Sequence, residues 1–340
     1  MLRSAKKLHI ILIIIGIIYI SLSIFHTNLW FDETFSVSIA SHSFSEIWSI
    51  TAGDVHPPLY YWMLRVLCLI FGKNILVYRM FSMLGIALFA SLGYTHIRKD
   101  LGEKAGLTFS FFAFFLPIMC IYANQIRMYS WTMIFVTLAF IYAYRILKKS
   151  TNLNWCLFTL FSLASAYTHY YGLLAVGIIN VALFVYLCIE KQMNNLKIFL
   201  IAASIQILLY VPWLISFIKQ LVSVSEGFWI ELIFPKTYIQ IVSFQFGGDL
   251  NTTGDIQTNI AFAIAVILYI YIGYSICKMK KSNEKKWTVW AFGLYLFVIS
   301  LAFIISLVTP ILYARYLFTI NGLFIFGLSY LISKEEKKYI

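Results

Sequence analysis

Asp32 and Glu33 stand side by side just beyond the first apolar run of a chain that carries only 14 acids in 340 residues. Carboxylates next to hydrocarbon are expensive to keep, so they persist where they take a proton, hold a cation or pair with a partner. Other polar groups recur at the ends of later apolar runs: Asp54 and His56, then Arg127 and Tyr129, then His169, then Tyr313 and Arg315. Together these types suit one kind of chemistry. A carboxylate can deprotonate a hydroxyl, and guanidinium forks can grip a phosphate through two parallel hydrogen bonds. Asp32 and Glu33 are therefore the catalytic candidates, and Asp54, His56, Arg127, Tyr129, His169, Tyr313 and Arg315 the substrate-binding ones.

Each candidate has a plainer role open to it. The two acids would be equally at home in a solvated loop. Arg127 could pair with lipid headgroups, His56 could cap a helix that starts at Pro57, and His169 with Tyr170 and Tyr171 could belong to an interfacial aromatic belt. Glu33 could orient Asp32, bind a divalent cation, or do neither.

The elements that must position these residues are membrane helices. The chain is 61% hydrophobic and 12% charged, with a mean hydropathy of +0.84, which no soluble domain of this size needs. The net charge of +12 does not point to nucleic acid, because Lys and Arg cluster between apolar runs long enough to cross a hydrocarbon core of about 30 Å. Such runs lie at 8–25, 58–72, 75–97, 105–122, 129–147, 153–170, 172–189, 198–217, 259–277, 288–308 and 316–332. If all crossed, the clusters at 98–104 and 278–286 would fall outside, against the positive-inside rule. The run at 58–72 opens on two prolines and carries Arg65, so it is the one expected to lie in the interface. About ten spans result, with both termini cytoplasmic and Arg65, Lys73, Arg79, Arg127, Lys219, Lys236 and Arg315 the outer cations. The first run follows Arg3, Lys6 and Lys7 without a small-x-small cleavage site and is expected to be a retained span rather than a signal peptide.

Residues 1–340 are thus expected to form one all-α polytopic domain, with a first outer loop at about 26–74 and a second at about 218–258. The first loop should hold two interfacial helices. Ser43-x-x-Glu46 has the spacing of a capping box, and Pro57-Pro58 precedes the aromatic cluster Tyr60, Tyr61, Trp62. The second loop contains Phe228, Trp229 and an Asn251-Thr252-Thr253 glycosylation pattern too short to carry weight. The five Cys, at 68, 120, 156, 188 and 277, suggest neither a disulfide framework nor a zinc site.

Phe31-Asp32-Glu33, the spacing to Asp54-x-His56-Pro57-Pro58-Leu59-Tyr60, the turn Arg127-Met128-Tyr129 and the late Ala314-Arg315-Tyr316-Leu317 resemble the bacterial membrane glycosyltransferases related to protein O-mannosyltransferases, glycosyltransferase family 39. They are also similar to the aminoarabinose transferase of lipid A. The resemblance implies a GT-C fold: a helical bundle with interfacial helices in its first outer loop. It implies an inverting glycosyltransferase of the plasma membrane, working on the outer side, that moves a sugar from a polyprenyl phosphate to a hydroxyl of a glycan, lipid or protein. Asp32 would be the base, Arg127 and Arg315 the phosphate clamp, and His56 a weaker third member. Relatives often have a Glu two residues before the arginine of the second outer turn, where this chain has Gln125, so a bridging divalent metal is not favoured and no cofactor is expected. The chain also lacks the large soluble C-terminal domain of some relatives. A lipid-linked sugar flippase is the alternative, and it would place its polar groups nearer mid-membrane, in broken helices.

Overall fold

The computed structural model describes residues 2–25, 28–226, 230, 232–247, 256–280 and 282–335. Phe228, Trp229, Asn251, Thr252, Thr253, Lys337 and Lys338 lie outside them. Among the described residues the fold is all helical. The order is α1 (Leu2–Ser21), α2 (Phe31–Ile39), α3 (Phe44–Ala52), α4 (Leu59–Phe71), α5 (Ile75–Leu92), a π-helical turn (Gly93–Ile97), α6 (Arg98–Leu101), α7 (Glu103–Phe115), α8 (Pro117–Tyr122), α9 (Tyr129–Lys148), α10 (Asn152–Ala166), α11 (Tyr170–Ile189), α12 (Met193–Glu226), α13 (Lys236–Val242), α14 (Ile256–Lys278), α15 (Asn283–Ser306) and α16 (Asn321–Glu335), the last entered through a 3-10 stretch, Ala314–Ile320.

Nine of the ten expected spans coincide with one helical body each and the tenth with a broken pair, and among the described residues seven helices are long and apolar enough to cross a membrane. Two of the others are shorter than the sequence suggests. The run at 105–122 breaks between α7 and α8, where Leu116 leaves the helical region ahead of Pro117, as a residue preceding proline does. α10 has 15 residues, about 22 Å of helix at 1.5 Å per residue.

The first outer loop holds three helices rather than two. α3 and α4 stand where the sequence placed them. In α3 the Ser43 hydroxyl accepts from the Glu46 amide while Glu46 accepts from the Ser43 amide at 2.8 Å. α4 starts after Pro58 and stops at Gly72, whose φ of 71° suits glycine. The additional helix is α2, which carries Asp32 and Glu33 in its first turn. Anionic side chains are favoured there by the partial positive charge of the helix N-terminus. The second outer loop is shorter than expected, because α12 continues past residue 217 to Glu226 with Pro212 inside it. That extension clamps the first loop: Gln220 donates to the carbonyl of Thr51 at 2.7 Å, and Trp213 packs edge-on against Trp48.

α9 and α16 form the centre, with 78% and 83% of their span residues buried against 17% for α12. Small residues permit this proximity. A Cβ on Gly322 of α16 would sit 1.8 Å from Oγ1 of Thr137 on α9. Gly93 and Gly106 face each other so closely that a Cβ on either would lie 2.5 Å from the other's carbonyl oxygen. The outer faces of α1, α12 and α14 expose Ile14, Ile18, Ile207, Leu208, Ile267 and Ile270, which suits contact with lipid.

Candidate active site

Glu33, although adjacent to Asp32 in sequence, points into protein. It is 2% exposed and pairs with Arg79 of α5, itself 1% exposed, through Nη1–Oε1 at 2.9 Å and Nη2–Oε2 at 3.3 Å. The same Oε1 accepts from the Ile126 amide at 2.9 Å, and Oε2 takes the Trp30 amide at 3.4 Å. Arg79 also donates to the carbonyls of Asn28 and Asn124 at 2.6 and 2.9 Å. One buried pair therefore joins α2, α5 and the 124–126 turn. A carboxylate so engaged is a positioning group. Sequence reasoning counted Arg79 only as an outer cation. Its signal was there all the same, a single charge inside the apolar run 75–97, which calls for a partner.

Arg127 leaves that turn and is 3% exposed. Nη1 donates to the Asp32 carbonyl at 3.1 Å, the Ser36 hydroxyl at 3.3 Å and the Tyr61 hydroxyl at 3.4 Å, while Nη2 meets His56 Nε2 at 3.1 Å. Its Nε makes no hydrogen bond, and among the described residues no carboxylate lies within ion-pair distance. Every acceptor in direct contact is thus neutral, an unusual setting for a buried cation.

One path to a carboxylate runs through His56, whose Nδ1 lies 2.9 Å from Asp54 Oδ2. Burial and the Arg127 charge push the imidazole below its ordinary value, against the opposing pull of Asp54. A neutral ring fits both contacts. With the proton on Nδ1 it donates to Asp54 and leaves the Nε2 lone pair for Arg127, the tautomer that the two partners select. Burial tends to raise the Asp54 carboxyl, but the His56 hydrogen bond, the Val55 amide and the Arg127 charge outweigh it, so Asp54 stays below the usual value and ionised. His56 does not cap α4. It couples an acid to Arg127.

Asp32 is more accessible, 28% exposed, and its Oδ2 pairs with Arg315 Nη1 at 3.0 Å. Among the described residues its Oδ1 accepts no hydrogen bond. Arg315 comes from the 3-10 stretch before α16, nearly the whole chain away. Its guanidinium lies between two rings, 4.7 Å from the Trp30 centroid and 4.6 Å from that of Tyr313, and Nη2 donates to the Tyr313 hydroxyl at 3.1 Å. Such stacking holds a planar cation in place while leaving edge N–H groups for another acceptor. Asp32 is thereby flanked by two arginines, Arg127 on its backbone carbonyl and Arg315 on its carboxylate.

His169, 4% exposed, caps α11 by accepting the Tyr171 amide on Nδ1 at 3.0 Å. Burial and the neighbouring His56 and Arg127 push it well below its ordinary value, and its Nε2 is buried without a partner. The ring packs against Tyr316 at 5.1 Å and Tyr129 at 5.8 Å. His56, His169 and Tyr316 close one end of a cavity of about 360 Å³ whose other walls are mainly apolar, including Leu173, Leu174, Phe217, Leu221, Val224 and Ile305. All nine candidate residues thus lie at one end of the bundle: His56 and His169 line the cavity, Asp54, Arg127 and Tyr129 touch those two rings, Asp32, Arg315 and Tyr313 follow in succession from Arg127, and Glu33 faces α5. Arg79, Ser36, Trp30, Tyr61 and Tyr316 complete the set.

The sequence profile of a family described as dolichyl-phosphate-mannose-protein mannosyltransferase matches residues 55–216. Over that stretch the chain is similar to these membrane glycosyltransferases. The matched residues include His56, Arg79, Arg127, Tyr129 and His169, whereas Asp32 and Arg315 lie outside them. The resemblance drawn from the four motifs accordingly holds for the part of the chain between the first loop and α12. The crystal structure of ArnT from Cupriavidus metallidurans in the apo state superposes with a TM-score of 0.49 and 12% identity, covering 96% of this chain and 77% of that one. No curated protein matches the sequence at a significant level.

Proposed function

We propose that the chain is an inverting glycosyltransferase that moves a sugar from a polyprenyl phosphate to an acceptor hydroxyl on the extracytoplasmic side of the plasma membrane, with both termini in the cytoplasm. The observation that carries the reading is Asp32 set between Arg127 and Arg315, with Arg127 in contact with His56, a wall of the largely apolar cavity. The family description names a mannosyl donor on dolichyl phosphate, and a polyprenyl-phosphate sugar is the wider class to which such a donor belongs.

The cavity suits the first isoprene units, leaving the phosphate beside His56, His169 and the arginines. Arg127, buried among neutral acceptors, gains its first direct counter-ion when that phosphate arrives. Arg315 can turn toward the same phosphate without leaving its aromatic rings, and in doing so it releases Asp32 Oδ2. Asp32 then takes the proton of the acceptor hydroxyl as its oxygen bonds to the anomeric carbon. The bond from that carbon to the phosphate oxygen breaks on the opposite face, and the electron pair leaves with the lipid phosphate. A phosphate is already a good leaving group, so one carboxylate serves where hydrolysis of an ordinary glycosidic bond needs two. Preorganised guanidinium groups stabilise the charge developing on it.

The reaction as written draws its positive charge from Arg127 and Arg315 and needs no divalent metal. The test is to incubate the purified protein in lipid with a panel of polyprenyl-phosphate sugars and follow sugar transfer, or slow release of the sugar where no acceptor is supplied. Absence of both across the panel, with the protein folded, overturns the reading.

A further inference from the structure

A second cavity of about 330 Å³ opens at the opposite end of the bundle, among the last turns of α6, α9, α11 and α16 and the first turns of α15. α9 joins the two ends. It leaves the candidate site at Tyr129 and reaches this cavity at Lys148, so its 20 residues separate them by about 30 Å, roughly the thickness of the hydrocarbon core.

The walls are rich in donors and poor in acceptors. Lys148 and Lys286 both line the cavity, and among the described residues neither has a carboxylate partner. Lys148 gives one hydrogen bond to the Asp100 carbonyl at 3.2 Å and sits 4.4 Å above the Tyr144 ring, which leaves it two N–H groups. Among the described residues Asp100 is the one acid in the lining, and its carboxylate is taken by Arg145 Nε at 2.8 Å. These four charged groups sum to +2. The indole N–H groups of Trp287 and Trp290 make no hydrogen bond among the described residues. The rings themselves are fixed: Tyr144 meets Trp287 edge-on at 4.4 Å, and Trp290 lies 5.7 Å from Trp287.

Two unpaired ammonium groups beside rigid aromatic donors, at headgroup depth, form a recess for an anion with an organic substituent. The geometry points to a binding site for a phosphate ester, with the phosphate on Lys148 and Lys286 and the esterified glycerol or sugar against Trp287 and Trp290. An anionic phospholipid can supply that chemistry from the leaflet opposite the candidate active site, because α11 and α15, which flank the recess, expose Val185, Ile189, Val289 and Leu296, and basic pockets between membrane helices take such headgroups. A soluble phosphate ester could supply it from water. The site is separate from the catalytic reading, and lipid retention tests it whatever reaction the protein performs.

Purified full-length protein in detergent is titrated with phosphatidylglycerol and with phosphatidylcholine, and bound lipid is counted by native mass spectrometry. In parallel, thermal unfolding is followed with glycerol phosphate. Phosphatidylglycerol should be retained preferentially. Joint replacement Lys148→Gln and Lys286→Gln should weaken that retention about 30-fold, because each lysine near the membrane surface contributes about fivefold, and Lys148→Arg with Lys286→Arg should keep it. If glycerol phosphate stabilises the wild type as well as the lipid does, and loses the effect in the double Gln variant, the same site is filled from the aqueous side. Phosphatidylglycerol retention unchanged in the double Gln variant, or equal retention of the two lipids by the wild type, overturns the proposal.

Discussion

Replacing Glu33 by Gln should damage stability before chemistry. Its carboxylate is the counter-ion of an arginine 1% exposed, and it holds four donors: both Arg79 Nη groups, the Ile126 amide and the Trp30 amide. Gln keeps one acceptor oxygen and presents an NH2 group to donors already in place. Arg79 would then lose its buried carboxylate counter-ion, and breaking a buried pair from one side costs about 3–5 kcal/mol. Arg79→Met should cost a similar amount for the opposite reason. The double variant Glu33→Leu/Arg79→Met removes both charges, so it should fall short of the sum of Glu33→Leu and Arg79→Met by about 0.5–3 kcal/mol. It would still leave the Ile126 amide and the carbonyls of Asn28 and Asn124 without these partners, so it should not regain wild-type stability. Equilibrium unfolding in detergent, followed by tryptophan fluorescence, reads the cycle. Turnover should fall alongside stability, because the pair anchors α2 and the turn that leads to Arg127. A Glu33→Gln protein with wild-type unfolding and no turnover would refute this reasoning and make Glu33 a reacting group.

Asp32→Asn should lower turnover by about 10²–10⁴-fold, the range of a lost general base, with unfolding and donor binding near wild type in equilibrium titrations. Arg127→Lys and Arg315→Lys should each weaken the binding of polyprenyl phosphate, because an ammonium keeps the charge and loses the planar fork; product affinity at wild-type level in both would remove the clamp. The pH dependence follows from His56, whose folded value is lowered from 6.5. Below that pH the unfolded chain takes up a proton that the native ring refuses, so the His56 contribution falls as pH drops from 6.5 toward the folded value. Melting temperature against pH should therefore slope downward on the acid side, and His56→Gln should flatten part of the slope, with His169 keeping its share of the same sign. Gly106→Ala should destabilise the α7 packing, since its Cβ would meet the Gly93 carbonyl oxygen at 2.5 Å; unfolding measurements equal to wild type would show that α7 can shift.

What was legible in the sequence, and what was not, divides along the range of the forces involved. Hydropathy and proline placement are local, and they located the helical bodies, the separate short helix α4 and the capping box of α3. α2 escaped because its nine residues form no long apolar run. What fixes it is the N-terminal turn around Glu33, whose partner Arg79 lies 46 residues away. The same distance hid the different roles of two neighbouring acids. In sequence Asp32 and Glu33 are equivalent. In the helix, consecutive residues diverge by about 100°, since 3.6 residues complete a turn, so one carboxylate faces the mouth and the other faces α5. Position within a turn decides which acid can meet a substrate, and the adjacent acid, sealed against Arg79, holds that turn in place. The proposed chemistry therefore depends on a division of labour that residue type alone cannot express. Arg315 shows the converse case. Its pairing with Asp32 spans 283 residues, yet the ordering of short motifs at the ends of successive apolar runs was enough to bring the two together, because consecutive crossings return the chain to the same end of the bundle.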